Sequence, residues 1–291
     1  MTRTLLIVCF VAAGCCLIQA QGKTSDELIK TLTAPDTSRK TRKKAAEKLA
    51  QKPPSEVLPK LLEVQRKYGH TISNWGIDEF GKGYDVTWEQ AAAITAGYAW
   101  SGNLSNPSYT KQEKGAVLLD LMRRGKSVSD KSEFLHSLKF YWVDGAELEA
   151  ASILADTKAD SRSRYIAAEV LLEVTGTKYY GEIYSAAIGA TLEGQEWFTG
   201  LLLRKKAPEW EARVLRYAFA VIQAQRVAHP QGLDYGYQLA SSIGHYLGME
   251  FAPKQSDPKY KGEHGLKDAF FIETVENALR WWENNKSAYP Q

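Results

Sequence analysis

The densest set of groups able to recognise a ligand lies between Gly69 and Val86, where His70, Asn74, Trp75, Asp78, Glu79, Tyr84 and Asp85 are interleaved with four glycines. The stretch has neither a helical nor a strand period, and so long a loop inside a compact domain is usually put to use. The chemistry on offer is binding. Trp75 would serve as an aromatic platform, and Asp78 and Glu79 as polar readers, so the candidate binding set is Asn74, Trp75, Asp78, Glu79 and Tyr84. The alternative is an insertion whose Trp75 and Ile77 tuck into the core.

Groups for covalent or metal chemistry are sparse. No two of the five histidines (His70, His136, His229, His245, His264) sit three or four apart around a carboxylate, so the zinc-protease pattern is missing. His245 and Glu250 are five apart, which puts them on different faces of a helix. A G-x-S-x-G elbow, a P-loop and a dinucleotide-binding glycine pattern are also missing. Cys9, Cys15 and Cys16 are the only cysteines, which leaves the rest of the chain without disulfides, thiol nucleophile or cysteine metal site. The expectation is no catalytic residue, no metal and no cofactor.

Those cysteines fall in a segment that reads as a secretory signal. Arg3 supplies the positive start, Leu5 to Leu17 an apolar run, and Ile18-Gln19-Ala20 a cleavage site with small Ala at its end. The run is too short to span a membrane comfortably. Residues 1–20 are therefore assigned to a signal peptide and 21–291 to one domain, with a subdivision possible near the 69–86 loop. The protein is expected to be exported, periplasmic or extracellular. The competing reading takes Ala12-Ala13-Gly14-Cys15 as a lipobox and anchors the chain by lipid at Cys15. Losing Arg3 lowers the net charge from +3 by one, a mild basicity that does not mark a nucleic-acid binder.

What would position any site is a set of helices. With 44% hydrophobic and 24% charged residues the chain has the balance of a folded globular protein. Capping boxes, in which two side chains each satisfy the other's free backbone N–H, are expected at Thr87/Gln90, Thr110/Glu113 and Asp130/Glu133. Stops are expected at Arg123-Arg124-Gly125 and Thr175-Gly176. Apolar stripes at helical spacing run through Val57, Leu58, Leu61 and Leu62, through Phe134, Leu138 and Tyr141, through Ile166, Ala167, Val170, Leu171 and Val174, and through Val214, Ala218, Val221 and Ile222. About a dozen helices result: 25–33, 37–51, 55–67, 88–99, 110–124, 131–142, 146–157, 161–175, 180–189, 195–206, 208–228, 233–251 and 264–285. Lys139 to Val143 is the one short strand candidate, and it also continues the helix before it.

One octet recurs. Arg42-Lys43-Lys44-Ala45-Ala46-Glu47-Lys48-Leu49 and Arg164-Tyr165-Ile166-Ala167-Ala168-Glu169-Val170-Leu171 share R-x-x-A-A-E-x-L at an offset of 164 − 42 = 122 residues. That is about three units of roughly 41, within the range of helical repeats, although no copy appears near Tyr84 or Arg124. Small Ala pairs let helices approach and Leu fills the groove. With the Pro53-Pro54 turn, the pattern resembles that of HEAT-like (armadillo-type) repeats, most clearly over Ser38–Leu49 and Arg162–Gly176, about a tenth of the chain. The segment Val275 to Trp282 is similar to the closing helix of bacterial exported HEAT-like proteins. The resemblance implies an all-α fold, an irregular α-α superhelix, and a scaffold with a binding face and no fixed catalytic residues.

Three further features carry expectations. Arg39, Lys40, Arg42, Lys43, Lys44, Lys48 and Lys52 face only Glu47, as the solvated outer side of a terminal repeat or as a surface for an anionic partner. The eight tryptophans and fifteen tyrosines are expected mostly in the core. Asn103-Leu104-Ser105 and Asn285-Lys286-Ser287 are glycosylation sequons, relevant only in a eukaryotic source. The function expected is an exported, non-catalytic scaffold that binds a protein partner, with no nucleic acid and no transmembrane segment. The alternative is a helical protein that binds or cleaves a polysaccharide. Asn74-Trp75 is similar to the Asn-Trp segment of helical-toroid polysaccharide lyases, which also need a placed Tyr and His. Tyr235, Tyr237, His245 and Glu250 are the residues on hand, at a spacing that matches no such pattern.

Overall fold

The computed structural model describes residues 23–69, 87–229, 236–262, 265–266 and 268–290. The fold is all-α. Among the described residues there are thirteen α-helices: α1 (Ser25–Thr33), α2 (Arg39–Leu49), α3 (Pro54–Tyr68), α4 (Trp88–Ser105), α5 (Lys111–Arg123), α6 (Val128–Leu138), α7 (Ala146–Ala155), α8 (Ser161–Thr175), α9 (Tyr180–Ile188), α10 (Leu192–Arg204), α11 (Glu211–Ala228), α12 (Tyr237–Leu247) and α13 (Asp268–Asn285). The only strands among them are two residues each, Lys261–Gly262 against Gly265–Leu266. Lys139 and Phe140 form a turn, so the strand candidate there is not a strand. No described helix is long and apolar enough to cross a membrane.

The helix ends obey local chemistry. Thr87 and Gln90 form the expected capping box, as do Thr110 and Glu113. The third box sits one turn earlier than expected, at Ser127 and Asp130. Ser127 already has extended backbone and an oxygen to offer, so α6 gains a turn by starting there. Helix α4 runs past the expected stop near residue 99 because Asn103 is fully buried. Its amide donates to the Ala50 and Lys52 carbonyls at the end of α2, so a residue that reads as a helix breaker is held in place. The same burial keeps the 103–105 sequon out of reach. Helix α12 is shorter than expected because left-handed glycines bound it, Gly236 at φ 85° and Gly248 at φ 69°.

The chain divides into two compact units, Met1–Val117 and Leu118–Gln291. In the first, α1, α2, α3 and α4 pack together. Its core is built from Leu28, Leu32, Leu49, Val57, Leu61 and Val64 against alanines 45, 46, 92, 96 and 99. Small residues on both α2 and α4 let the two backbones come close. A Cβ added at Gly102 would lie 3.0 Å from the Ala50 methyl, which sets how near they come. Tyr98 and Trp100 pack against this core, and Trp88 meets Tyr68 edge-on.

The second unit follows a simple rule. Helices one place apart pack as pairs, and helices two places apart pack as layers. Thus α6, α8, α10 and α12 adjoin in sequence on one side, while α7 meets α9 and α11 meets α13 on the other. Buried Leu154, Leu171, Phe198, Leu202, Leu215, Phe219 and Ile243 fill the space between the layers. At the C-terminal end Phe219 stacks on Trp282 with ring centres 4.6 Å apart.

Both units share one device. Arg42, which composition places among the surface cations, is 3% exposed. Its Nε donates to the Leu32 carbonyl at 3.1 Å, and its guanidinium also reaches the Ala34 and Pro35 carbonyls. Arg164 does the same ten residues back, Nε to the Leu154 carbonyl at 3.0 Å. A third instance carries lysine: buried Lys114 donates to the Asn106 carbonyl at 2.6 Å. Each cation stands four residues after a helix N-cap (Ser38, Thr110, Asp160). Each closes the frayed carbonyl end of the helix before it, where the helix dipole is negative. Burial lowers the Arg42 and Lys114 pKa values from the ordinary range. The rest of the α2 surface remains basic, with Lys40, Lys43, Lys44 and Lys48 exposed.

Arg164→Met should therefore lower stability by about 2–3 kcal/mol, the worth of a buried charge-assisted hydrogen bond and its orphaned acceptor, with Arg164→Lys retaining part of it. Urea denaturation measures this. A loss under about 0.5 kcal/mol, the range of neutral surface changes, would contradict the role.

Candidate functional site

The candidate binding set Asn74, Trp75, Asp78, Glu79 and Tyr84 lies outside the described residues, as do His70, Tyr235 and His264. The remaining residues of the lyase-like reading do not converge. His245 and Glu250 are exposed, and Tyr237 packs edge-on against Phe271. Among the described residues no group of three or more His, Cys, Asp or Glu could hold a metal ion.

A concave site occurs instead on the α10 side of the second unit. Helix α10 has two faces. Phe198, Leu201 and Leu202 point inward and are buried. Glu193, Glu196, Trp197, Gly200 and Arg204 recur at three- and four-residue spacing on another face. The eleven residue steps from Glu193 to Arg204 span about 16 Å. This stripe floors a cavity of about 770 Å³, walled by Tyr165 of α8, by Gln225 and His229 at the end of α11, and by Gln238, Leu239 and Ser242 of α12. The volume suits a small molecule or a few residues of a chain. Gly200 sits mid-helix, and a Cβ added there would meet nothing within 4 Å. Its lack of a side chain keeps the middle of the groove open.

The two ends of the groove differ in charge. At the C-terminal end Arg204 donates to Glu169 at 3.3 Å and to the Tyr165 hydroxyl at 3.2 Å. Its charge is thus matched within the protein. The Tyr165 ring stands edge-on to Trp197, with centres 6.1 Å apart, and to Phe198. Burial first, and Glu169 second, raises the Tyr165 hydroxyl above the ordinary phenol value. At the N-terminal end Glu193 and Glu196 lie one turn apart, and neither has an ion-pair partner among the described residues. Burial, then the neighbouring Glu193 charge, raises the Glu196 carboxyl above the ordinary carboxylate value. Its one hydrogen bond here comes from the Gln225 side-chain amide at 3.3 Å.

Gln225 is 1% exposed. Its NH₂ donates to the Leu192 carbonyl and to Glu196, two acceptors that fix which way the amide points. Its Oε1 is then left buried with no donor among the described residues. A buried acceptor without a donor is costly, and in native proteins such a group calls for an explanation.

No single sequence segment advertises this site. Its walls come from four helices spread over residues 165–242. The signal that could have found it is the α10 stripe, polar and glycine-containing beside an apolar one, with Trp197 left 37% exposed. The start of α10 was legible only to within three residues, because its N-cap Thr191 is followed three places later by Gly194 instead of a Glu or Gln.

No known protein-family model matches the chain, and comparison with curated proteins and with solved structures gives no match.

A raised carboxyl pKa has a definite sign for stability. Glu196 favours the folded state below the ordinary carboxylate range and ceases to do so as pH rises through its raised value. Glu196→Gln keeps the acceptor for Gln225 and removes the charge. The variant should be more stable than wild type at pH 7, with the difference shrinking towards pH 4 in thermal melts. A variant less stable at pH 7 would contradict the description of this carboxylate as unpaired.

Proposed function

We propose that this protein is an exported, non-catalytic helical-repeat scaffold of HEAT-like type that binds a segment of a partner polypeptide along the α10 face. The observation that carries the reading is the groove itself. A stripe about 16 Å long offers an aromatic, two carboxylates without an ion-pair partner among the described residues and a glycine gap, flanked by the amides of Gln225 and Gln238. Side-chain amides can meet both the N–H and the C=O of an extended chain, and aromatic anchors in a recess are the usual core of a protein interface.

The repeat reading draws support from the three buried-cation turns and from the one-and-two-place packing of the second unit, the way repeat arrays satisfy each element through its neighbours. Export draws support from the apolar stretch Leu5 to Leu17 and from the confinement of all cysteine to residues 9–16. The basic α2 surface and the segment around Trp75 take no part in this reading.

Gly200→Leu tests it. Leucine is a better helix former than glycine by up to about 1 kcal/mol, and the added side chain enters open space, so the melting temperature should hold or rise. Binding of polypeptide probes from a peptide array should be lost. Retained peptide binding would put the binding surface elsewhere. Binding of oligosaccharides but not peptides, abolished by the same substitution, would transfer the site to the carbohydrate reading.

A further inference from the structure

We propose that the bound segment presents an arginine side chain, whose guanidinium occupies the N-terminal end of the groove between Glu193, Glu196 and the Trp197 ring. The inference rests on the binding reading above and deepens it by naming the chemistry of the ligand.

Charge is the first argument. The groove and its immediate neighbour Glu169 hold three carboxylates against one guanidinium, and that guanidinium, Arg204, is already engaged with Glu169 and Tyr165. What remains is Glu193 and Glu196 without a cation among the described residues. Two like charges one helical turn apart repel, and Glu196 is also partly removed from water. Both costs disappear when a cation enters between them.

Hydrogen bonding is the second, independent argument. The Gln225 carbonyl oxygen is buried beside Glu196 and has no donor. The amide cannot turn over to cure this, since its NH₂ already serves Leu192 and Glu196. The end of the groove therefore gathers two carboxylates without a cation among the described residues and, buried beside them, one amide oxygen without a donor. A ligand group rich in N–H donors and lacking acceptors completes it, as a guanidinium with five donors does.

Shape selects arginine over lysine. A guanidinium is planar, delocalised and weakly hydrated, so it stacks on an aromatic face while its edge bonds carboxylates. Trp197 is the exposed aromatic of this stripe and directly follows Glu196 in the chain. An ammonium could reach the carboxylates but would gain less from the ring. Arg213 already lies over Trp210 in this molecule, 5.4 Å from the ring centre, an example of the same pairing within the fold.

The test uses the full chain and capped glycine–alanine pentapeptides whose central residue is arginine, lysine, citrulline or glutamate, titrated by calorimetry and followed by NMR at millimolar concentration. The arginine peptide should bind most tightly and the lysine peptide more weakly. Citrulline, which keeps the shape and loses the charge, should lose about tenfold or more, the scale of one desolvated charge contact. Glu196→Gln and Glu193→Gln should each weaken the arginine peptide by a similar factor while leaving the fold intact in melts. Equal binding of arginine and citrulline peptides, blocked by Gly200→Leu, would overturn the arginine proposal and leave the polypeptide reading standing. Arginine-peptide binding insensitive to both glutamate substitutions, or absent at millimolar concentration, would also overturn it. Failure of every peptide alongside capture of oligosaccharides would overturn both.

Discussion

A buried cation at the turn of a helical hairpin is the interaction on which this fold depends. The last carbonyls of an α-helix have no partner within it and carry the negative end of its dipole. When another helix folds back over that end, water is excluded and the carbonyls must be met from within. Arg42, Lys114 and Arg164 meet them, each from the first turn of the following helix. The bonds tie the end of one helix to the start of the next, so they set the turn as well as satisfy it. The octet that carries Arg42 and Arg164 adds a second solution at once. Its Ala-Ala step removes bulk where the paired helices touch, and Leu49 and Leu171 fill the groove beyond.

One hairpin fixed in this way, α7 with α8, lies in the second unit, where successive hairpins pack in sequence. The arrangement satisfies every helix on its inner side and leaves α10 with a second face that no neighbour covers fully. That face is where the molecule departs from what stability alone would choose. Glu196 is a carboxylate held partly out of water next to another carboxylate, and Gln225 keeps an acceptor without a donor. Among the described residues of the second unit Gln225 Oε1 is the one buried side-chain polar atom without a partner; in the first unit Ser25 Oγ and Asn103 Oδ1 also lack one. Asn106 donates to Ala50 and Gln51, and the Tyr180 hydroxyl donates to Leu202. Burial raises the Tyr180 phenol well above its ordinary value without leaving it unpaired. Within the second unit the strained carboxylate and the unpartnered amide oxygen fall in the same recess, a common mark of a binding site.

Much of the fold was legible in the residues. The stripes at Val57–Leu62 and Val214–Ile222 specify helices on their own, because burying one face requires that spacing and no other. The pairing of Arg42 with Arg164 was visible as an octet, though its electrostatic purpose was not, and Arg42 read as a surface charge. The third copy escaped because lysine replaces arginine, Val117-Leu118 replace Ala-Ala, and the offsets of 114 − 42 = 72 and 164 − 114 = 50 follow no single period. A cap followed by a cation four residues later would have revealed all three. The groove was not legible, for a physical reason: it exists only where α8, α10, α11 and α12 meet, and no one of them holds more than a stripe of it. In the sequence the glycine-rich 69–86 stretch stands out instead, because its composition is unusual.

Amide hydrogen exchange of the full chain, with and without a saturating arginine-bearing peptide, tests the central claim most directly. The account predicts slowed exchange concentrated in α10, with smaller protection in the adjoining parts of α8 and α12 and none in α1 to α4. Protection centred on α2, or on residues 69–86 with α10 unchanged, would contradict it.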